Sequence, residues 1–398
     1  MVTLIAMGGG DIHACTLEAL YALQEADRIF SARRLLDGLP SDCTDNRIAE
    51  YDADRIFSYL KNDPTPRTAV LYSGDTGFYS GARLLIPKLQ AFHIPFTVCP
   101  GISSVQLLAA RLGLPWQDWN LVSAHGAEAD PLAEIMTGKP VCFLTGGSQG
   151  PGAICRELYD AGLGFLEAAV GSNLTYPDES VSRGTVSDFA DRSYLPLSLL
   201  YVEAAPVSPV RTPGIPDSEF VRGDVPLSKQ PVRAMALAQL AAEPGDILWD
   251  VGAGTGGISV ELALAARRGR VYAVERDTAA LELISKNREK FCAWNLIPVE
   301  GKAPQALEDL PAPDRVFVGG SGGELREILH LVLRKNEHAQ ICVDAVTLET
   351  LTEAWNTMTD LELQPEVTQI SASQTKPLGH YHLLAANHPT FLLTGRRS

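Results

Sequence analysis

Ile247-Leu-Trp-Asp-Val-Gly-Ala-Gly-Thr-Gly-Gly257 is the stretch that decides the fold of this chain of 398 residues. An apolar run ends at Asp250, gives way to closely spaced glycines, and is followed at once by a second apolar run over residues 258–265. This pattern predicts a strand, a tight turn and a helix. Glycines let a ligand approach the backbone closely, and the start of the helix offers free N–H groups and a positive dipole end.

A carboxylate follows the next predicted strand. Residues 270–275 form another largely apolar run, Arg-Val-Tyr-Ala-Val-Glu, which ends at Glu275. In nucleotide-binding α/β folds, an acidic group at this position commonly binds the ribose hydroxyls. The glycine loop and Glu275 together therefore predict a cofactor that contains a nucleoside.

Two cofactors fit this arrangement, and a turn that binds no ligand is a third interpretation. Gly252, Gly254 and Gly257 satisfy the spacing of a dinucleotide site, so a nicotinamide cofactor is one alternative. Asp250 and the glycines after it form Asp-x-Gly-x-Gly-x-Gly, which resembles the first motif of S-adenosylmethionine-dependent methyltransferases. In those enzymes the loop faces the methionine portion and the acidic residue holds the ribose.

Length and composition indicate a globular protein of two domains. A chain of 398 residues is too long for one ordinary core, and 45% hydrophobic with 20% charged residues is typical of globular proteins. No apolar run reaches the ~20 residues that span a bilayer, and the N-terminus lacks the basic start of a signal peptide, so no membrane partner is expected. Seven scattered cysteines without a Cys-x-x-Cys pair predict reduced thiols in a cytoplasmic protein.

Both halves of the chain are acidic. The formal net charge is −15; residues 1–205 carry 14 Lys/Arg against 24 Asp/Glu, and the remaining residues carry 19 against 24. An acidic surface repels a polyphosphate, and the sequence has no basic stripe with interleaved aromatic residues. We therefore expect no nucleic-acid partner.

The pattern of strand, loop and helix recurs in the first half. Residues 4–11, 69–80 and 96–104 each run from apolar residues into a loop of small residues, and a helical pattern follows each loop. Repeated units of this kind predict a parallel α/β layout in which ligands bind at the carboxyl ends of the strands.

These loops resemble those of the tetrapyrrole methylases, in the branch that acts in cobalamin synthesis. The resemblance is carried by Met7-Gly-Gly-Gly-Asp11, residues 73–80, Pro100-Gly-Ile-Ser-Ser104 and Val122-Ser-Ala-His-Gly126. The family usually has prolines where this chain has Gly9 or Gly10 and where it has Thr76. The resemblance implies two α/β lobes, split near residue 140, with S-adenosylmethionine in the cleft between them.

The same resemblance implies ligand contacts in the first half. The implied substrate contact is His125. The implied cofactor contacts are Gly8, Gly9, Gly10, Asp75, Ser103, Ser104 and Thr145.

A proline-rich segment separates the two halves. Five prolines lie between residues 206 and 226, which argues against a helix or central strand there and predicts a stiff linker. The expected division is a first domain over residues 1–205, a linker over 206–226 and a second domain over 227–398.

The second half has seven apolar runs with helical patterns between them, which predicts a Rossmann-like, seven-stranded sheet. It resembles the decarboxylating methyltransferase of the same pathway through Ser228-Lys229, residues 250–256, Glu275, Gly301-Lys-Ala-Pro304 and residues 317–323. The cofactor contacts that this resemblance implies are Ser228, Asp250, Gly252, Ala253, Gly254, Thr255, Gly256, Glu275 and Ala303. The implied substrate contacts are Lys229, Arg233, Gly320 and Ser321.

The two resemblances together imply one fused enzyme. Its expected reaction is S-adenosylmethionine-dependent methylation of precorrin-6B at carbons 5 and 15, with decarboxylation of the ring C acetate, giving precorrin-8X. Each domain is expected to bind one S-adenosylmethionine, no metal is expected, and relatives of both domains imply a homo-oligomer. The sequence identifies no general base.

Cations near the motif loops are candidates for binding the carboxylates of such a substrate, because the chain as a whole is acidic. The candidates are Arg83, Arg111, Lys229, Arg233, Lys302, Arg326 and Lys376.

Three alternatives stay open at this point. A methyltransferase of RNA or protein would need a basic face or an Asn/Asp-Pro-Pro-Tyr motif, and the sequence has neither. A single-activity methyltransferase whose first half is a non-catalytic binding module is the second. The third is an oxidoreductase with a nicotinamide cofactor. Separately, the spacing of His380 and His382 could place two metal ligands on one strand face, although no third ligand is evident, so substrate or core contacts are favoured.

Overall fold

The computed structural model describes residues 1–10, 12–63, 67–125 and 128–397. Asp11 and Gly126, which end two of the motifs above, lie outside the described residues. The contacts divide the chain into two units. The first comprises Met1–Ala129, Lys139–Tyr159 and Gly164–Ala204, and the second Asp130–Gly138, Asp160–Leu163 and Ala205–Ser398.

The first sheet of the first unit has five parallel strands. They are β1 (Val2–Ala6), β2 (Arg28–Ser31), β3 (Arg47–Ala49), β4 (Thr68–Tyr72) and β5 (Phe96–Cys99), in the order β3-β2-β4-β1-β5. The helices of this half are α1 (Leu17–Gln24), α2 (Arg33–Leu36), α3 (Ala53–Asn62), α4 (Ala82–Ala91) and α5 (Ser104–Leu112). Helices cover both faces of the sheet, so neighbouring residues of β1 enter different cores: Leu4 packs with Ile56 and Leu85, and Ile5 packs with Leu23.

The second sheet of the first unit is largely antiparallel. Its strands are β6 (Asn120–Ser123), β7 (Val141–Leu144), β8 (Glu167–Ser172), β9 (Ser180–Thr185) and β10 (Ser198–Val202), in the order β6-β7-β10-β8-β9. Of these neighbours, β6 and β7 are parallel and the others antiparallel. The helices between them in the chain are α6 (Pro131–Ile135), α7 (Pro151–Leu158) and α8 (Val186–Phe189), of which α6 belongs to the second unit.

The parallel layout predicted from residues 4–104 is confirmed by the five parallel strands of the first sheet. The second sheet differs because β8 and β9 are joined by a short connection, which allows only antiparallel pairing. The predicted split near residue 140 is wrong: the change from one sheet to the other precedes β6, since this strand pairs with β7.

The second unit contains the seven-stranded sheet that the sequence predicts. Its strands are β11 (Ile247–Val251), β12 (Arg270–Glu275), β13 (Leu296–Glu300), β14 (Arg315–Val318), β15 (Gln340–Ala345), β16 (Glu366–Ile370) and β19 (Thr390–Gly395). The order is β13-β12-β11-β14-β15-β19-β16; the first five are parallel and β19 is antiparallel to both its neighbours. The chain forms β12 and β13 on one side of β11 and then crosses to β14 on the other side, and such a reversal opens a crevice at the strand ends.

Helices cover both faces of this sheet. They are α9 (Gln230–Leu240), α10 (Gly257–Ala265), α11 (Thr278–Lys290), α12 (Leu325–Lys335) and α13 (Leu348–Asp360). On one face Phe317 packs with Leu262 and Ile284, and on the other the fully buried Trp249 packs with residues of α12. The position of β11 in the middle of the sheet explains why its five residues are almost all apolar and buried.

A two-stranded hairpin between β16 and β19 was not predicted. It consists of β17 (Ser373–Leu378) and β18 (Tyr381–Ala386) and is exposed along nearly its whole length. His380 lies in the turn before β18, so it does not share a strand face with His382. Among the described residues, no group of three His, Cys, Asp or Glu side chains is placed to hold a metal. In the same part of the chain, no helix is long and apolar enough to cross a bilayer.

The proline-rich segment is not a free spacer. It contains one short 3-10 turn, Asp217–Glu219, and no long helix or strand, as its prolines predict. However, Ile215 and Phe220 are buried in the core of the second unit, beside Leu240 and Phe291. The segment therefore belongs to the second unit.

A buried arginine holds this segment in place. Arg233 of α9 has no exposed surface; its Nε lies 2.8 Å from a carboxylate oxygen of Glu261, and its Nη1 lies 2.7 Å from one of Asp217. The guanidinium also donates to the backbone oxygens of Ile215 and Ser228. The assignment of Arg233 to substrate binding is therefore wrong, because its donors are engaged inside the protein.

We predict that the second unit needs the segment for stability. A fragment of residues 205–398 should fold, whereas a fragment of residues 227–398 should be less stable by at least about 3 kcal/mol, because its core would lose Ile215 and Phe220 and Arg233 would lose Asp217. Urea denaturation measures the difference. In the whole chain, Phe220→Ala should also destabilise the second unit, and Arg222→Ala, at an exposed position of the same segment, serves as the control. Equal stability of the two fragments would contradict the prediction.

Candidate functional site

A cavity of about 380 Å³ lies at the carboxyl ends of β11, β12 and β14 in the second unit. Ten of the residues that the sequence assigns to ligand binding line it: Ser228, Asp250, Gly252, Ala253, Gly254, Thr255, Glu275, Ala303, Gly320 and Ser321. Gly256 does not line the cavity and instead forms the N-cap of α10. Lys229 is the N-cap of α9, with its Nζ 3.9 Å from a carboxylate oxygen of Asp217, and also lies outside the lining.

The glycine loop is in backbone contact with the loop after β14. Gly252 has φ +72°, and a Cβ on it would lie 2.6 Å from the carbonyl oxygen of Gly320. The N–H of Gly319 donates to the carbonyl of Val251 at 2.9 Å, which keeps the two loops together. A side chain at position 252 would separate them, so glycine is required there.

Glu275 connects the end of β12 to the glycine loop. Its Oε2 accepts the N–H of Gly254 at 2.9 Å, and its Oε1 accepts those of Arg276 and Asp277 at 2.8 and 3.1 Å. A carboxylate has about four acceptor positions, so it can still accept a bond from a ligand hydroxyl. The three backbone donors fix its orientation at the cavity wall.

Asp250 lies beneath the loop and is 1% exposed. Burial raises the pKa of its carboxyl to about 7, and the nearby charge of Glu275 acts in the same direction, whereas hydrogen bonds from Ser259 favour the charged form. The Ser259 hydroxyl donates to Oδ2 of Asp250. Ser259 was not predicted from the sequence; its position in the first turn of the helix that follows the glycine loop was the available signal.

Asn287 supports the loop from the side of α11. It is fully buried, and its Nδ2 donates to the carbonyls of Thr255 and Val221 at 2.9 and 3.1 Å, while its Oδ1 accepts the N–H of Val221 at 2.7 Å. The Thr255 hydroxyl in turn donates to the carbonyl of Pro226 at 3.3 Å. Together these bonds make residues 221–228 a wall of the cavity. Asparagine is unfavourable inside a helix, so its presence in the middle of a predicted helix was the signal in the sequence for a structural role.

The first unit also contains a cavity, of about 440 Å³, which is named the first cavity because it lies in the first unit. Seven residues that the sequence assigns to ligand binding line it: Gly8, Gly9, Asp75, Ser103, Ser104, His125 and Thr145. Gly10 does not. A Cβ on Gly10 would lie 2.5 Å from the hydroxyl of Tyr176, so this residue is beneath the tyrosine rather than at the cavity surface.

Backbone contacts also join the loops of the first cavity. Gly8 and Gly74 exchange hydrogen bonds at 3.1 and 2.5 Å. A Cβ on Gly101 would lie 2.5 Å from the Cβ of Ala6 and 2.9 Å from the carbonyl oxygen of Gly74. The carboxylate of Asp75 accepts the N–H of Gly101 at 3.0 Å, so it ties the second loop to the third.

The hydroxyls at the first cavity already have protein partners. Ser103 caps α5 and accepts the N–H of Gln106 at 3.3 Å, while the Gln106 side chain accepts the N–H of Ser103 at 2.8 Å. Thr145 donates to the carbonyl of Ser198 at 2.6 Å. Each hydroxyl still has a lone pair for a ligand.

Several lining residues of the first cavity were not identified from the sequence. Tyr176 and Asn173 come from the connection between β8 and β9, and Arg34 comes from α2. Asn173 has φ +48°, which is uncommon for a residue other than glycine and marks a specialised turn. A loop of small and polar residues after β8 was the available signal.

We predict a pH dependence of stability from Asp250. The pKa of Asp250 in the folded protein, about 7, lies above the ordinary value of 3.8. The stabilisation that the protonated carboxyl gives to the folded state is therefore fully present below about pH 4 and is lost as the pH rises toward 7. The free energy of unfolding of the wild type, relative to Asp250→Asn, should therefore fall between pH 4 and 7, by about 1.4 kcal/mol for each unit of pKa difference. Urea denaturation across this range tests it, with Asp224→Asn as an exposed control; a difference that does not change with pH would contradict it.

Comparisons with known proteins match both halves. Residues 1–190 match the family model described as Tetrapyrrole (Corrin/Porphyrin) Methylases, and residues 219–395 match the Precorrin methyltransferase domain. The precorrin-6Y C(5,15)-methyltransferase [decarboxylating] of Sinorhizobium is 29% identical over 330 residues, which are 81% of this chain and 79% of that protein.

Two further matches cover about half of the chain. A protein of Pyrobaculum calidifontis, named "Probable cobalt-precorrin-6B C(15)-methyltransferase (decarboxylating)", is 44% identical over 189 residues, 47% of this chain and 97% of that protein. The crystal structure of a precorrin-6y C5,15-methyltransferase from Geobacter metallireducens is 38% identical, with a TM-score of 0.45, over 46% of this chain and 97% of that chain. The two family models in this order, with relatives at these identities, place the chain: it belongs to the decarboxylating precorrin-6Y C5,15-methyltransferase family.

Proposed function

We propose that this chain methylates precorrin-6B at carbons 5 and 15 and decarboxylates its ring C acetate, giving precorrin-8X, with S-adenosylmethionine as methyl donor. The observation that carries the proposal is the presence, in each unit, of a separate cavity built on glycine loops at the carboxyl ends of parallel strands. The match to the Sinorhizobium enzyme over 81% of the chain supports the two-step reaction.

In the second unit, the residues present fit S-adenosylmethionine. Glu275 is oriented to accept the ribose hydroxyls, and the backbone from Gly252 to Gly254 leaves a cradle that side chains would fill. Val225 and Pro226 close the opposite side. S-adenosylmethionine, when bound, supplies an electrophilic sulfonium methyl; the chain has to orient the substrate carbon toward it and exclude water.

In the first unit, we propose a second S-adenosylmethionine site, so that each chain binds two. Gly8 and Gly9 leave the backbone accessible, and a Cβ at Gly9 would lie 2.1 Å from the hydroxyl oxygen of Thr175. Ser103, Ser104 and Thr145 present polar atoms to the same cavity. Methylation at carbon 5 is assigned here, because the relative named as a C(15)-methyltransferase is a precorrin methyltransferase that corresponds to half of the chain, and the precorrin methyltransferase domain lies in the second unit.

Decarboxylation is assigned to the second unit, by analogy with the decarboxylating relatives. Loss of carbon dioxide leaves an electron pair, which the conjugated macrocycle of the substrate itself can accept. The chain would then need only to position the acetate and remove its water, so we propose that no metal takes part. The loop from Gly319 to Ser321, which lines the cavity beside Gly252, is the proposed location.

The cellular compartment, the absence of a nucleic-acid partner and the oligomeric state are also proposals. Among the described residues, the cysteines form no disulfide, which fits a reducing compartment such as the cytoplasm. The net charge of −15 supports the absence of a nucleic-acid partner. We propose a homo-oligomer, which light scattering of the purified protein would test.

We predict that Glu275→Gln weakens one of two cofactor sites. Calorimetry with S-adenosylhomocysteine should give two sites in the wild type; in the variant one of them should lose about 1.5–3 kcal/mol, the energy of a hydrogen bond to a charged group. Glu282→Gln is the matched control, because Glu282 is on the exposed side of α11 and pairs only with Lys286, at 3.7 Å, among the described residues. Two unchanged sites in Glu275→Gln would exclude its role at the ribose.

We predict that the two reactions can be separated by one substitution. Mass spectrometry of precorrin-6B treated with the wild type should show two methyl gains and one loss of carbon dioxide. Gly252→Ala, whose new Cβ would meet the backbone of Gly320, should eliminate the loss of carbon dioxide and the methyl at carbon 15. Gly245→Ala, which meets nothing within 4 Å, is the control. Decarboxylation that persists in Gly252→Ala would assign it to the other unit.

A further inference from the structure

The structure shows which of the cations near the motif loops already have a carboxylate partner. Among the described residues, most of them have a carboxylate partner or are engaged in the core. Arg111 makes a two-pronged pair with Glu179 at 2.5 and 3.1 Å, and Arg233 is buried. The other pairs are Arg326–Asp360 at 2.7 Å, Lys302–Glu324 at 2.9 Å and Lys229–Asp217 at 3.9 Å. Lys376 lies on the exposed hairpin.

Arg83 is different. It is exposed, it lines the first cavity, and it has no ion-pair partner among the residues that the structure describes. Its backbone N–H donates to the carbonyl oxygen of Ser80, just before α4, and this bond fixes the position of the Arg83 backbone. A guanidinium in this position can offer its donors to a ligand in the cavity.

Arg34 is a second guanidinium at the same cavity. Its Nη1 donates to the hydroxyl of Tyr176 at 2.6 Å, and its guanidinium carbon lies 5.9 Å from the centre of the Tyr176 ring. The phenol is a neutral partner, so it positions the guanidinium without neutralising its charge. Within the described residues, no carboxylate pairs with Arg34.

The charge of this cavity is opposite to that of the half in which it lies. Residues 1–205 carry 14 Lys/Arg against 24 Asp/Glu. Asp75 is the carboxylate among the described residues that line the cavity, and its two oxygens already accept the N–H groups of Gly77 and Gly101. Arg34 and Arg83 therefore give the cavity a net positive charge.

The remaining wall of the cavity is mainly apolar. Side chains that contribute to it are Phe78, Leu107, Leu144, Leu174, Leu197 and Leu199. An apolar wall with two guanidinium groups is complementary to a large conjugated ring that carries carboxylates on its edge. Arginine binds carboxylates through two parallel hydrogen bonds, which fixes orientation as well as affinity.

We propose that Arg34 and Arg83 bind peripheral carboxylates of the macrocycle and so determine which carbon faces the methyl donor in the first unit. Tyr176 is a positioning residue that holds Arg34. This inference rests on the proposed function and specifies how its first site recognises a polycarboxylate substrate.

The test uses the full chain with Arg34→Gln and Arg83→Gln. The matched control is Arg33→Gln, which makes the same change in charge on the same helix, α2, at an exposed position that does not line the cavity. Methylation of precorrin-6B at carbon 5 is followed by NMR with a ¹³C-labelled methyl donor, and S-adenosylhomocysteine affinity is measured by calorimetry. Each variant should raise the KM for precorrin-6B about tenfold, with unchanged S-adenosylhomocysteine affinity and no effect in the control.

Salt separates a charge effect from a structural one. The KM of the wild type should rise with ionic strength, and this dependence should be weaker in Arg34→Gln and Arg83→Gln. Unchanged KM values in both variants would overturn the assignment, and so would a parallel loss of S-adenosylhomocysteine binding, which would indicate a role in the cavity structure. A wild type that never methylates carbon 5 would instead overturn the proposed function itself.

Discussion

Both candidate sites depend on direct contact between the backbones of neighbouring strand-end loops. In the first unit, Gly8 and Gly74 exchange hydrogen bonds, and Gly101 packs on both Ala6 and Gly74. In the second unit, Gly252 lies against Gly320. No Cβ separates these loops, so the crevice between parallel strands is closed at its base while its walls keep backbone groups accessible to a ligand. The same physical solution occurs in two sheets of different topology.

The second site needs a further element, which a buried charge network provides. Arg233 bridges Asp217 and Glu261, and Glu261 also accepts the Thr212 hydroxyl at 3.0 Å and the N–H of Gly214. Burying these charges is costly by itself, and the network offsets the cost by satisfying nearly every donor of the guanidinium. Its effect is to hold residues 212–228 against α9 and α10. The cavity wall formed by Pro226 is part of this held segment.

The two cavities differ in charge in a way that suits different tasks. The first has two guanidinium groups, Arg34 and Arg83, without carboxylate partners among the described residues. The second is lined by Asp250 and Glu275, by Arg276 and Asp277, whose charges offset each other, and by Lys302, which is paired with Glu324. Burial keeps the pKa of Asp250 near neutrality, so the second site avoids placing two full negative charges beneath one loop. An acidic protein can thus present a positive site and a weakly negative one.

The sequence by itself determined the features that depend on local patterns. Apolar runs that end in glycines define β11 and its loop, and the run that ends in Glu275 defines β12, because strand, turn and helix signals act over a few residues. The number of strands in the sheet of the second unit followed from the same alternation of apolar runs and helical patterns, whereas their order did not. Tertiary structure alone decided that β10 lies between β7 and β8, since these pairing partners lie far apart in the chain. It also decided that Arg233 is a core residue and Arg34 a cavity residue. The residues next to each arginine in the chain do not distinguish the two. The carboxylates of Asp217 and Glu261 neutralise Arg233, whereas the hydroxyl of Tyr176 leaves the charge of Arg34 available, and these partners lie far away in the sequence.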